Sequence, residues 1–107
     1  MEFKELQDRV TANFPESLER DKIKTNDDYF VMKIGEEVGE LMQAYLVYKK
    51  QCRPAKYLPD EEAKKAVAKE LADVAGLAFM IAKVLEIDLE EAVGKKWVTK
   101  EWLSKPN

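Results

Sequence analysis

The sequence predicts an all-α fold of four helices, arranged as an antiparallel, bundle-like domain. Apolar residues recur every three or four positions through almost the whole chain, which is the period of an amphipathic helix. No segment alternates apolar and polar residues in the way that a half-buried strand does. The stretch RPAKYLPD separates two long helical segments, and long helices joined by a short loop favour an antiparallel hairpin.

A short first helix is predicted near the amino terminus. Phe3, Leu6 and Val10 are spaced so that they share one face of a helix. The helix is expected to end before Pro15, because proline disfavours the helical conformation of the residue before it. Residues 16–26 are polar, and their pattern does not decide between helix and loop.

The second helix is predicted over residues 27–51. Thr25 and Asp28 have the spacing of a capping box, in which two side chains satisfy free backbone amides at the start of a helix. The predicted apolar side of this helix consists of Phe30, Ile34, Val38, Leu41, Tyr45 and Tyr48.

The third and fourth helices follow the proline-bearing loop. Asp60 is expected to cap the third helix, which is predicted to end near Glu86. Asp88 and Glu91 repeat the capping-box spacing and open a fourth helix through EEAVGKKWVTKEWL.

Length and charge restrict the class of protein. The 107 residues are predicted to form a single domain, 1–107, and 46% hydrophobic with 36% charged residues is typical of a globular chain. A net charge of −3 argues against a nucleic-acid polymer as a partner. The first residues, MEFKELQDRV, lack an apolar signal core, and no run approaches the ~18 apolar residues of a membrane span. A cytoplasmic protein without membrane contact is therefore predicted.

The cysteine and histidine counts exclude several kinds of site. Cys52 is the only cysteine, so neither an intrachain disulfide nor a cysteine-based zinc site can form, and we assign Cys52 no role. The chain has no histidine, which excludes the Glu-x-x-His pattern of di-iron carboxylate bundles.

Carboxylates interrupt both long helices where apolar residues are expected. In IGEEVGELMQAY, Glu36, Glu37 and Glu40 lie within an apolar segment, and in the third helix Glu70 and Asp73 continue an apolar stripe. Burying an unpaired carboxylate is costly, so such groups are usually paired, neutralised or bound to metal. An antiparallel hairpin would let the carboxylates of the two helices face each other.

A divalent cation is the partner that these carboxylates predict. One acidic pair on a helix is most often part of a solvated face. Two pairs on facing apolar seams would repel each other and raise each other's pKa values unless cations lay between them. Oxygen ligands without histidine or cysteine suit Mg²⁺, for which Mn²⁺ can substitute, and disfavour zinc and copper.

The two acidic segments resemble a known pair of motifs. EEVGE at residues 36–40, followed by ELAD at residues 70–73, is similar to the EExxE and ExxD signature of the MazG-like, all-α nucleoside triphosphate pyrophosphohydrolases. The resemblance covers residues from about 27 to about 100 and includes the distance between the motifs. It implies Mg²⁺-dependent hydrolysis of an NTP or dNTP to the monophosphate and pyrophosphate.

The resemblance also implies a role for each motif residue. Glu37, Glu40, Glu70 and Asp73 would be the metal ligands, and Glu36 would hold an additional metal ion or orient the attacking water. Glu36 and Glu37 are therefore the predicted catalytic residues. The cation would neutralise phosphate oxygens and activate the water for in-line attack on the α-phosphorus.

Basic residues after the ExxD motif contact phosphates in the family. Lys95, Lys96 and Lys100 are the candidates here, although the asparagine and arginine often found in that segment are not recognisable. Lys33, one turn before Glu37, is a further candidate for contact with phosphate or carboxylate.

Self-association is the last implication of the resemblance, since relatives build the site between subunits as homodimers or dimers of dimers. Trp97 and Trp102 crowd the end of the fourth helix, and a small domain covers few large aromatic residues by itself. These residues and Tyr45 are candidates to stack on a base, but aromatic residues at helical spacing more often belong to a core or an interface.

Two other interpretations stay open. Phosphoribosyl-ATP pyrophosphohydrolase shares the fold and an acidic motif, and substrate screening separates it from an NTP-directed enzyme. A non-catalytic helical module for dimerisation or metal binding would keep the carboxylates without hydrolysis.

Overall fold

The computed structural model describes the backbone of residues 1–20 and 27–99 and the side chains of residues 1–13 and 28–99, and every regular element in this part of the chain is helical. The predicted all-α class is confirmed for these residues. None of their helices is both long and apolar enough to cross a membrane. The elements are α1 (Phe3–Arg20), α2 (Asp27–Tyr48), α3 (Asp60–Val84) and α4 (Leu89–Val93), with a 3₁₀ turn at Pro54–Lys56 and a π-helical turn at Gly94–Val98.

The chain divides into two compact units. One consists of Met1–Lys24 with Phe79–Asn107, and the other of Thr25–Ala78. All five carboxylates of the acidic motifs belong to the second unit. The geometry of the candidate site can therefore be described within that unit alone.

In the first unit, the ring of Phe3 in α1 meets Phe79 edge to face, with 5.4 Å between the ring centroids. The backbone of α1 stays helical to Arg20, so the prediction that this helix ends before Pro15 is wrong. Proline lacks an amide hydrogen and costs a helix one backbone hydrogen bond, but the bonds on either side of it can continue the helix.

The start of α4 agrees with the sequence pattern. Asp88 is the N-cap, and its carboxylate accepts a hydrogen bond from the backbone N–H of Glu91 at 3.1 Å. This bond, followed by the ammonium of Lys4, holds the pKa of Asp88 below its ordinary value. The α-helix ends at Val93, before the π-helical turn. Residues 100–103 of the predicted fourth helix, and Thr25 of the predicted α2 cap, lie outside the described residues.

In the second unit, α2 and the first part of α3 form an antiparallel hairpin. Nζ of Lys50, just past α2, lies 2.8 Å from Oδ1 of Asp60 at the start of α3. Glu37, earlier in α2, approaches Asp73, later in α3. Contacts that occur in opposite order along two helices define antiparallel packing. The hairpin predicted from the short loop is therefore present in this unit.

The ends of the two hairpin helices differ in detail from the prediction. α2 ends at Tyr48 rather than at residue 51, because Lys50 adopts a left-handed backbone conformation with φ 56° that stops the helix. Asp60 does not precede α3 as its cap but is its first residue. The carbonyl of Pro59 accepts the first helical hydrogen bond, from the N–H of Ala63.

The covered side of α2 is rotated relative to the predicted apolar face. Val38, Tyr45 and Tyr48 were expected on the buried side, but 39%, 46% and 40% of their surfaces are exposed. Glu37 replaces an apolar residue in the middle of the side that is covered. That side consists of Phe30, Ile34, Glu37, Leu41 and Ala44.

The end of α3 gives a test of backbone strain. Glu86 has φ 55°, a left-handed conformation in which a side chain crowds the backbone, and the N–H of Ile87 reaches back to the carbonyl of Ala82 at 2.8 Å. Glu86→Gly is expected to raise the free energy of unfolding by about 0.5–1 kcal/mol, because glycine relieves this crowding. The measurement is the melting temperature. The matched control, Glu90→Gly inside α4, should lower it, and a lower melting temperature for Glu86→Gly would contradict the prediction.

Candidate functional site

Five carboxylates gather where α2 faces α3. Glu36, Glu37 and Glu40 form one group, and Glu37, Glu70 and Asp73 form a second; in each group, one oxygen per residue lies within 4.8 Å of the others. The spacing of three residues on each helix puts both members of a pair on one side of that helix. The expected convergence of carboxylates thus takes the form of two overlapping groups that share Glu37.

Burial differs among these side chains. The side chain of Glu37 is only 12% exposed and Glu70 is half-buried, whereas Glu40 and Asp73 are exposed. The cluster therefore has a covered floor and is open to solvent at its edges. A cation can approach from the open edges while Glu37 and Glu70 contact it on the covered side.

Two oxygens on the covered floor have no partner. Oε2 of Glu37 and Oε2 of Glu70 are buried and accept no hydrogen bond from any described residue. Buried polar atoms in proteins are nearly always hydrogen-bonded, and leaving one unsatisfied is costly. Neutral packing does not account for two such oxygens in one cluster of carboxylates, but a cation that they both contact would.

The environment of Glu37 opposes its ionised form. Removal from water is the main cause that raises the pKa of Glu37, followed by its contact with the carboxyl group of Glu40 and by the negative charges of Glu40 and Asp73. The ammonium of Lys33 acts in the opposite direction but is the weakest of these influences. A cation that enters the cluster would stabilise the ionised form of Glu37, because it offsets the neighbouring negative charges.

Lys33 is the cation of this unit that lies closest to the cluster among the contacts described. Its Nζ lies 3.2 Å from Oε1 of Glu36 and 3.9 Å from Oε1 of Glu37. The hydrogen bond to Glu36 is the main cause that raises the pKa of Lys33. Lys33 thus binds a carboxylate in this structure, and its predicted contact with substrate phosphate stays a prediction.

A groove adjoins the cluster on its Glu40 side. Glu40 and Glu70 line it together with residues from α2 and from the turn that precedes α3, and its volume is about 540 Å³. Its other walls include Gln43, Val47, Cys52 and Lys56. The groove and the cluster share two carboxylates, so one ligand can occupy both.

Most of the remaining predicted site residues belong to the first unit or lie outside the described residues. Lys96, like Lys95, belongs to the π-helical turn of the first unit, while Lys100 and Trp102 lie outside the described residues. Trp97 is also in the first unit and is 68% exposed. Tyr45 stacks on Tyr48, with 6.4 Å between ring centroids, and lines a different, apolar surface of the hairpin.

The donor set of the cluster selects the kind of ion that it can hold. Every candidate ligand atom is a carboxylate oxygen, the ligand type preferred by Mg²⁺ and Mn²⁺ rather than by zinc or copper. The unpartnered oxygens of Glu37 and Glu70 supply two ligands that no described hydrogen bond competes for. The residues present therefore fit a hard divalent cation.

Gln43, Cys52 and Lys56 were not singled out by the sequence analysis as a site. None belongs to a motif, and Lys56 is separated from Glu40 by the end of one helix and a 3₁₀ turn. The one local signal is Pro54, whose position in front of Lys56 starts that turn.

Three comparisons with known proteins identified no relative of this chain. No family model matches the chain, and no curated protein or solved structure is significantly similar to it.

Proposed function

We propose that this chain is a Mg²⁺-dependent nucleoside triphosphate pyrophosphohydrolase, which converts an NTP or dNTP to its monophosphate and pyrophosphate. The observation that carries the proposal is the pair of buried, unpartnered oxygens, Oε2 of Glu37 and Oε2 of Glu70, within an all-carboxylate cluster. The resemblance of residues 36–40 and 70–73 to the EExxE and ExxD motifs supports the same reaction.

The proposed division of roles follows burial. Glu37, Glu70 and Asp73, with Glu40 from the neighbouring group, would hold Mg²⁺, which when bound supplies positive charge against the phosphate oxygens and makes a water molecule a stronger nucleophile. The side chain of Glu36 is 58% exposed and is the carboxylate best placed to accept a proton from that water. Nζ of Lys33, 3.2 Å from Oε1 of Glu36, would orient this carboxylate for that purpose.

The proposed reaction forms one bond and breaks one. Water oxygen attacks the α-phosphorus, the bond from that phosphorus to the bridging oxygen breaks, and pyrophosphate leaves with the electron pair. In-line displacement of this kind needs positioning and charge neutralisation rather than a side-chain nucleophile. The absence of histidine from the chain is compatible with this chemistry.

The products give a direct test. With Mg²⁺ and a mixed dNTP pool, we expect pyrophosphate and monophosphates, and in heavy-oxygen water the label should enter the monophosphate. EDTA should abolish the reaction, since the carboxylates alone offer no positive charge. Diphosphates and orthophosphate as the first products would overturn the proposal, as would equal activity in EDTA. Screening phosphoribosyl-ATP beside the dNTPs separates the two substrate classes.

We also propose that two chains assemble through the apolar surface of the hairpin, within a four-helix, bundle-like arrangement. Met42 and Leu71, from the two helices, are 62% and 52% exposed there, and Leu46 is 44% exposed. A contiguous apolar surface on a hydrophilic protein usually marks an interface.

Assembly is tested by sedimentation. Sedimentation equilibrium should give the native protein about twice the chain mass of 12.3 kDa. Met42→Glu should raise the dissociation constant of the dimer more than about tenfold, because it places a charge in the contact. Met32→Glu is the matched control, since Met32 is 74% exposed on the same helix outside this surface. A monomeric native chain at micromolar concentration would rule out the assembly.

A further inference from the structure

The groove beside the acidic cluster suggests where the non-reacting part of a substrate lies. Glu40 and Glu70 belong both to the cluster and to the groove wall. A molecule that places its phosphates at the cluster must therefore extend its remaining part along the groove or into solvent. The volume of about 540 Å³ lies within the range of roughly 300–1,000 Å³ that is usual for small-molecule sites.

The walls of the groove suit a flat, weakly polar body. Ala44 and Val47 form small apolar side walls, and the half-buried thiol of Cys52 adds another weakly polar surface. A phosphate group would bind poorly against Ala44, Val47 and Cys52, because it would lose its hydrogen bonds to water and gain none from these side chains. A nucleobase with its sugar has faces that such walls can cover.

Two polar side chains can contact the edge of that body. Lys56 lines the groove, and its ammonium makes no ion pair with any described carboxylate, unlike those of Lys33 and Lys50. Lysine offers hydrogen-bond donors and no acceptor, whereas the amide of Gln43 offers both. A donor-only group at the edge of a base favours an exocyclic oxygen over an exocyclic amino group.

We infer that the nucleoside of the substrate occupies this groove and that Lys56 makes the site prefer keto bases, guanine, thymine and uracil, over the amino bases adenine and cytosine. The inference rests on the proposed function, because it takes the phosphates to lie at the acidic cluster. Lys56 is a specificity-determining residue in this assignment, and Gln43 adapts to either kind of edge.

The first experiment compares kcat/KM for dGTP and dTTP with that for dATP and dCTP. The native protein should favour the keto pair by about tenfold, the usual size for one good contact to a base edge. Lys56→Met should remove most of that preference, and Lys56→Arg, which keeps the donors, should retain it. The control Lys65→Met changes an exposed lysine of α3 that does not line the groove, and it should leave the preference unchanged.

An equal loss of kcat/KM for all four nucleotides in Lys56→Met would overturn the inference, since it would make Lys56 a phosphate contact. Absence of any effect would overturn it too. Melting temperatures of the variants confirm that each is folded before these ratios are interpreted.

The second experiment reads occupancy of the groove without hydrolysis. Cys52 is the only cysteine of the chain, so alkylation by iodoacetamide reports on the groove alone. The α,β-methylene analogue of dGTP with Mg²⁺ should slow alkylation at least about tenfold at saturation, and more effectively than the dATP analogue at equal subsaturating concentration. Hydrolysis of dNTPs without protection of Cys52 would overturn the groove assignment and leave the proposed function standing. Protection without hydrolysis would overturn the proposed function and support the groove assignment.

Discussion

Glu70→Gln is expected to reduce dNTP hydrolysis by more than about 100-fold while leaving the fold intact. Glutamine has nearly the shape of glutamate, but it has no charge and replaces one carboxylate oxygen by an amide nitrogen that cannot ligate a hard cation. Mutation of a residue that only orients a metal ligand typically lowers metal affinity or activity about 10- to 100-fold, and loss of the ligand itself lowers them further. The measurement is pyrophosphate release at saturating Mg²⁺, with circular dichroism to verify helical content.

The matched control for this experiment is Glu62→Gln. Glu62 is an exposed glutamate in the first turn of the same helix and is outside both carboxylate groups. It should retain full activity. Full activity in Glu70→Gln itself would remove Glu70 from the metal site.

Glu37→Gln is expected to stabilise the metal-free protein at neutral pH and to flatten the dependence of its stability on pH. The folded state raises the pKa of Glu37 above its ordinary value of 4.5, mainly through removal from water. The folded protein therefore binds a proton more readily than the unfolded chain does. The associated stability is fully present below the unfolded pKa and is lost as the pH rises through the folded pKa.

Mg²⁺ should reverse this order of stability. At a concentration of 100 times its Kd, an ion that binds only the folded state adds about 2.7 kcal/mol to the free energy of unfolding. The native protein should gain this stability, and Glu37→Gln should gain much less, because it loses the ligand shared by both carboxylate groups. Thermal melts across pH, with Mg²⁺ and with EDTA, make the comparison, and Glu62→Gln is again the control. A native melting temperature that rises steadily with pH above 4.5 in EDTA, or does not respond to Mg²⁺, would contradict the prediction.

The four α-helices were accessible from the sequence, whereas some of their ends and the π-helical turn at Gly94–Val98 were not. Periodicity of apolar residues follows directly from burial of one side of a helix, so it predicted α2 and α3 well. A proline disfavours a helix without excluding it, and the backbone of α1 stays helical past Pro15. The end of α2 depends on the left-handed conformation of Lys50, and a lysine in the sequence does not predict that conformation.

The acidic cluster was accessible for a physical reason. Carboxylates within an apolar stripe stand out, and helical spacing says that Glu37 and Glu40, like Glu70 and Asp73, project together. The sequence did not show that Glu37 lies at the centre of the covered side of α2, because that depends on how far the helix is rotated against α3. Lys56 was missed because its place in the groove depends on the path of the turn rather than on any spacing.

The ion pair between Lys50 and Asp60 marks the closed end of the hairpin, and the distance along α2 from this end to the carboxylates limits where the chain tolerates insertions. The chain between the acidic motif and Tyr48 is helical, so the number of residues in this interval determines which way Glu36, Glu37 and Glu40 point. One residue inserted into α2 after Ala44 would turn everything before it by about 100° and carry Glu37 out of line with α3. A residue inserted into the connection between Gln51 and Pro59 would leave both helices in phase. An insertion in the connection would therefore keep the carboxylates aligned and displace only groove residues such as Lys56, whereas an insertion between the acidic motif and the end of α2 would keep them aligned only if it added whole turns.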